Sequence, residues 1–208
     1  MLALVLVYSG IGYFTGAVPF PVEPRGDICA GDLCGAMGSV GDRGRAAAEL
    51  RNTLPTSREY SSSGDNPSRA RDDISWRATC QVYGDGDLLL YTHAELGWDA
   101  DARTWLDHQR PRADLVDEEG KPARFQAGSA AILMHRTALI LVPCTPAYPG
   151  PAPVHLEVEV HVHYPLEGSA EENRRALVTV ALGAARSAHD RAECPLPAQL
   201  PTQVTGLG

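Results

Sequence analysis

Two stretches of the chain alternate strictly between apolar and polar side chains. In ISWRATCQVY, residues 74 to 83, Ile74, Trp76, Ala78, Cys80 and Val82 share one parity, and Ser75, Arg77, Thr79 and Gln81 share the other. In HLEVEVHVHYP, residues 155 to 165, Leu156, Val158, Val160, Val162 and Tyr164 alternate with His155, Glu157, Glu159, His161 and His163. Successive side chains of a strand point to opposite faces of its sheet, so each pattern predicts a strand with one buried and one wet face. After the first, Gly84-Asp85-Gly86-Asp87 predicts a hairpin turn and LLLYTHAE the returning strand. AAILMH and TALILVPC predict a second hairpin around His135-Arg136-Thr137. Its second arm is apolar on both parities, as in a central strand covered on both faces.

Helical spacing appears in three places. DRGRAAAEL, residues 42 to 50, predicts a short helix in an otherwise weakly patterned stretch. In GWDADARTWLDHQRP, Asp99 is placed as an N-cap, Ala102, Trp105, Leu106 and Gln109 form one stripe, and Pro111 ends the helix. From Ser169, a capping box with Glu172 opens a helix whose apolar face carries Leu177, Val180, Ala181, Ala184 and Ala188. Neighbouring strands on short turns, with helices set between them, predict an α+β fold. It is a mainly antiparallel sheet of about five strands with helices packed against it. The expected organisation is an apolar leader helix at 1–20, a weakly structured segment with a short helix at 21–73, an α+β globular domain at 74–194 and an irregular tail at 195–208.

The leader, MLALVLVYSGIGYFTGAVPF, contains no charge. Two readings stand: a signal peptide cut after Ala17, or an uncleaved anchor with Tyr8, Tyr13 and Phe14 near the lipid interface. Neither shows the basic segment that export signals carry, which points to a true start upstream of Met1. Both place the body outside the cytoplasm, with the membrane as a partner through residues 1–20. The five cysteines, Cys29, Cys34, Cys80, Cys144 and Cys194, are then expected to form disulfides. Cys80 and Cys144 lie on the inward parity of their strands and form the candidate pair. Among Cys29, Cys34 and Cys194 the pairing stays open.

Composition narrows the function classes. A formal charge of −8, with Lys121 the only lysine, removes the basic surface that binding nucleic acid requires. It equally removes a basic patch for anionic lipid. No Gly-x-Ser-x-Gly elbow, phosphate-binding loop or dinucleotide fingerprint is present. The acidic loop with Asp114, Asp117, Glu118 and Glu119 reads as a solvated loop.

The chemistry concentrates on the odd-numbered side of residues 155 to 163. Residues two apart on a strand project the same way at a spacing of ~6.8 Å. Two imidazoles so placed can converge on zinc, whose Zn–N distance is ~2.0 Å, if other strands complete the set. The candidate ligands are His161, His163, Glu159 and, from the neighbouring hairpin, His93. The competing reading is a solvated face in which the glutamates favour protonated imidazoles. It prevails, because zinc sites show fuller ligand sets; no cofactor is expected, and zinc is the alternative.

The charge-free leader, the segment ICAGDLCG, the WRATC and LILVPC strands and the alanine-rich helix ending AECPLP together resemble small exported or membrane-anchored proteins of unknown function in Streptomyces and its relatives. The resemblance implies an envelope location and transfers no catalytic residue. The expected function is a non-catalytic, extracytoplasmic binding module of the cell envelope. The alternative is a metal-binding protein or metal-dependent enzyme built on the histidine strand.

Overall fold

The alternating residues of the last strand form the centre of a seven-stranded, wholly antiparallel sheet. The structure is a computed structural model that describes residues 25–65, 67, 75–97, 101–109, 122–144 and 154–202. The strands are β1 (Tyr60–Ser63), β2 (Arg77–Gly84), β3 (Asp87–Gly97), β4 (Ala123–Arg124), β5 (Ala130–Leu133), β6 (Thr137–Pro143) and β7 (His155–Val162). They lie in the order β1-β2-β3-β7-β6-β5-β4, so two meanders meet where β7 pairs with β3. The α-helices are α1 (Val40–Thr53), α2 (Ala102–Gln109) and α3 (Ala170–Arg191). The fold is α+β as expected, with two strands more than the pattern predicts. Both extra strands are sheet edges too short or too polar to alternate visibly. β4 has two residues, and β1 is YSSS, held by Tyr60, whose hydroxyl donates to the Pro55 carbonyl at 2.9 Å.

The β2–β3 turn forms as expected. Asp85 (φ 50°) and Gly86 (φ 91°) both take left-handed backbone, as a two-residue hairpin turn with the right-handed strand twist requires. The Asp85 carboxylate accepts from the amides of Arg58 and Glu59, which ties this turn to the chain entering β1. The α3 capping box is present: Ser169 Oγ accepts from the Glu172 amide, and the Glu172 carboxylate accepts from the Ser169 amide at 2.9 Å. In α2 it is Asp101 that caps, accepting from the amides of Arg103 and Thr104 at 2.8 Å. Asp99, the expected cap, lies outside the described residues.

Helix α3 lies on the even-numbered face of the sheet, and its expected stripe, Leu177 through Ala188, is buried. Small side chains let it come close. Gly183 is where the short 3-10 turn Gly35–Met37 crosses: a Cβ there would stand 2.6 Å from the Met37 carbonyl oxygen. Helix α1 runs antiparallel beside α3, with Glu49 against Arg175 and Asp42 against Arg186. The short helix expected at 42–50 forms, as the longer α1, while the weak structure expected around it is corrected over 25–65. Residues 25–65 hold α1, two 3-10 turns and β1, and bury Ile28, Leu33, Met37, Leu50 and Leu54 in the main core. Gly41 and Gly44 lie inside α1, where each weakens a helix by ~1 kcal/mol in isolation. Tertiary burial overrides that cost.

The pairing of Cys80 with Cys144 is also corrected. The disulfides are Cys34–Cys80 and Cys144–Cys194, and Cys29 is an exposed thiol. Both Cys80 and Cys144 do face the helical layer, but β3 and β7 stand between β2 and β6. Three strand spacings of ~4.8 Å separate the two by roughly 14 Å across the sheet alone, already beyond the ~4.4–6.8 Å that a disulfide spans between Cα atoms. Parity was right and adjacency was not. Each bridge instead ties the sheet to a segment of the layer above it.

Asp42 anchors that layer. Its buried carboxylate accepts from Ser39 at the N-cap of α1, from Arg45 and from Arg186. Burial pushes the carboxyl up, but the Ser39 hydrogen bonds with the Arg186 and Arg45 guanidiniums more than offset this and hold it below the ordinary Asp range. A folded-state value below the unfolded one means that the contribution to stability is complete above the unfolded value of ~3.9 and is lost as pH falls through the folded value. Urea midpoints measured against pH check this. The gap between the native protein and Asp42→Asn is expected to be constant near neutrality and to shrink below about pH 4.

Candidate ligand-binding face

The other side of the sheet carries the odd-numbered residues of β2, β3, β7 and β6. Register aligns them in rungs: Gln81, Tyr91, His161 and Thr137; then Thr79, His93, Glu159 and Leu139; then Arg77, Glu95, Glu157 and Leu141. Each rung begins polar on β2 and, in two of the three, ends apolar on β6. That gradient divides the face. The apolar half, with Ile132 and Met134 from the β5–β6 hairpin, is covered by α2 through fully buried Trp105. This explains why β6 is apolar on both parities.

The expectation of a solvated odd-numbered face therefore holds for only part of β7. Glu157 stands at the boundary, half-buried: its carboxylate accepts from Trp105 Nε1 at 2.8 Å and from Gln109 Nε2 at 3.3 Å. Those two donors sit four residues apart on the inward face of α2, one helical turn. Glu157 is thus a docking point for a helix. Sequence reasoning found the Trp105 and Gln109 stripe and the Glu157 position separately. Only the strand register brings them together.

On the half that α2 does not cover, Tyr91 and His93 stack with ring centroids 6.1 Å apart and an interplanar angle of 10°. His93 Nε2 lies 3.2 Å from Glu95 Oε2, while its Nδ1 is buried without a hydrogen-bond partner. Burial, followed by the negative charges of Glu159 and Glu95, pushes the Tyr91 hydroxyl above its ordinary value, so it stays a neutral donor. Thr137 Oγ1 and His161 Nδ1 are 2.9 Å apart. His163 lies just beyond the strand, exposed, its ring edge-on to His161 with centroids 5.1 Å apart.

Of the four expected metal ligands, register makes His93 and Glu159 direct neighbours, with His161 on the adjacent rung. His93 and His161 turn ring nitrogens toward Glu95 and Thr137. Among the described residues no group of three or more His, Cys, Asp or Glu side chains is placed to hold a metal ion. The part of the face that α2 does not cover carries aromatic rings, carboxylate acceptors and imidazoles.

Sequence reasoning also missed a second cluster. Arg175, Thr179, Leu182 and Arg186 recur at helical spacing on the outer side of α3, and with Arg45, Ala48 and Glu49 of α1 they line a groove. The spacing was legible, but a stripe of arginines on a helix reads as solvated surface until its neighbour is known.

Fold and face together define a disulfide-bonded α+β protein of an oxidising environment, with a half-covered polar sheet face. No protein-family model matches the chain, and neither curated proteins nor solved structures yield a match. Among the described residues no helix is long and apolar enough to cross a membrane; the leader, 1–20, lies outside them.

Proposed function

We propose that the protein is a non-catalytic binding module working outside the cytoplasm, held at the cell envelope through residues 1–20. The polar β2–β3–β7 face would be its ligand surface. The observation that carries this reading is the pair of disulfides fastening the sheet to its helical layer, since such bridges persist in exported proteins and are reduced in the cytosol. The binding role is supported by the stacked Tyr91 and His93 beside Glu95 and Glu159, side chains that the core does not use. The ligand is an envelope component, protein or otherwise, that presents hydrogen-bond donors to this acidic, aromatic surface. Resemblance to Streptomyces-type envelope proteins points the same way.

Fractionation of cells carrying the full-length chain, followed by thiol alkylation and peptide mass mapping, tests the location. The expected result is a membrane-fraction protein that is cut by protease from outside and has Cys29 as its only alkylated cysteine. Recovery in the cytosol with all five cysteines alkylated overturns it. The face is tested by retention on isolated envelope, which Tyr91→Ala with His93→Ala should abolish without moving the urea midpoint. The register of His93 beside Glu159 keeps the zinc alternative specific. That reading requires stoichiometric zinc in the purified protein, lost when His161 and His163 are both changed to alanine.

A further inference from the structure

We infer that the groove between α1 and α3 is a second binding site, for a small organic oxyanion: a carboxylate or phosphate monoester on a short apolar body. The groove lies over the helical layer, on the opposite side of the sheet from the face described above, and has a volume of about 280 Å³. That is near the lower end of small-molecule sites, which run from ~300 Å³ upward. Ala48 and Leu182 form the apolar part of its lining, and Arg45, Arg175 and Arg186 line its rim.

The donor and acceptor balance identifies the ligand. Arg186 donates to Asp42 Oδ1 at 2.8 Å and to the Pro201 carbonyl at 2.6 Å. Arg45 donates to Asp42 Oδ1 at 2.5 Å, and Arg175 Nε donates to Glu49 Oε2 at 2.9 Å. A guanidinium carries five N–H donors, and these contacts use at most two on any one of them. Both Asp42 oxygens are already engaged, by Ser39 on one side and the two arginines on the other. The rim therefore keeps unspent N–H donors on Arg45, Arg175 and Arg186, beside the Thr179 and Thr202 hydroxyls and the Glu49 carboxylate. The three guanidiniums stand among carboxylates, Asp42 beside Arg45 and Arg186, and Glu49, Glu171 and Glu172 about Arg175. The carboxylates hold the guanidiniums in position, which lowers the ordering cost of binding. Planar guanidiniums match carboxylate and phosphate oxygens in a two-point fork. The apolar lining asks for a hydrocarbon portion beside the charged head.

Calorimetric titration of the full-length protein with hexanoate, hexyl phosphate and inorganic phosphate tests the site. The expected result is saturable 1:1 binding of at least one hexyl ligand, tighter than inorganic phosphate. Which hexyl ligand binds more tightly tells a carboxylate from a phosphate source. Arg45→Gln and Arg175→Gln remove half-exposed side chains, so folding should be unaffected. Each should weaken binding about tenfold or more, the worth of a charge-assisted hydrogen bond. Tyr91→Ala should leave it unchanged, which keeps this result separate from that of the sheet face. No saturable binding of either hexyl ligand, or equal affinity in the arginine double variant, overturns the inference. So does inorganic phosphate binding as tightly as hexyl phosphate.

Discussion

Reduction of both disulfides is expected to lower the unfolding free energy by roughly 8 kcal/mol, about 4 kcal/mol for each, on the chain-entropy scale for loops of this length. The bridged residues are 46 and 50 positions apart. The two loops, 34 to 80 and 144 to 194, neither nest nor overlap, so each constrains the unfolded chain separately and the effects should add. Native domains typically hold ~5–15 kcal/mol in all, so the doubly reduced protein should be largely unfolded or close to it. The position of the bridges sharpens the forecast. Cys34–Cys80 secures the turns before α1 to β2, and Cys144–Cys194 secures the chain just after α3 to the end of β6. Urea unfolding of the oxidised protein, of the Cys34→Ser/Cys80→Ser and Cys144→Ser/Cys194→Ser variants, and of the fully reduced chain separates the two contributions. A reduced chain that keeps a cooperative transition at an unchanged midpoint would mean that the helical layer is held by burial alone.

What the sequence makes legible here is local, and what it hides depends on adjacency. The alternation at 77–83 and 155–162 fixes which face of each strand is buried, and Leu156, Val158, Val160 and Val162 are indeed in the core. The Ser169–Glu172 box and the Asp85-Gly86 turn are readable because neighbours in sequence supply every atom involved. The partner of Cys80 is not readable in that way. Its parity is correct for β6, yet the sheet order inserts two strands, and Cys34 arrives from a segment with little pattern of its own. Glu157 gives the same lesson at the candidate site. Within HLEVEVHVHYP it is indistinguishable from Glu159, both being half-buried strand residues of one parity. One meets an indole across the sheet and the other stands beside His93, and only the pairing of β7 with both β3 and β6 separates them.

Changing Trp105 to alanine is expected to destabilise the protein by about 3–5 kcal/mol, the usual range for deleting a fully buried aromatic side chain. Two effects combine there. The ring fills the space above Ile132, Leu139 and Leu141, and its N–H supplies a hydrogen bond to the Glu157 carboxylate. Helix α2 has eight residues, too few to persist without a docking surface. Loss of the anchor should therefore release the whole helix and uncover the apolar half of the sheet. Hydrogen exchange gives the discriminating readout: amides of 102–109 should lose protection in Trp105→Ala, while those of α3 and β7 keep theirs. Trp105→Phe retains most of the ring and removes the donor, so with Glu157→Ala, which removes the acceptor, it forms a cycle whose coupling isolates the hydrogen bond at ~1.5–3 kcal/mol, as for bonds to a charged group. A cost below about 1 kcal/mol for Trp105→Ala would be that of a surface position. Glu157 would then return to the wet face, and the polar surface beside Tyr91 and His93 would extend across the full width of the sheet.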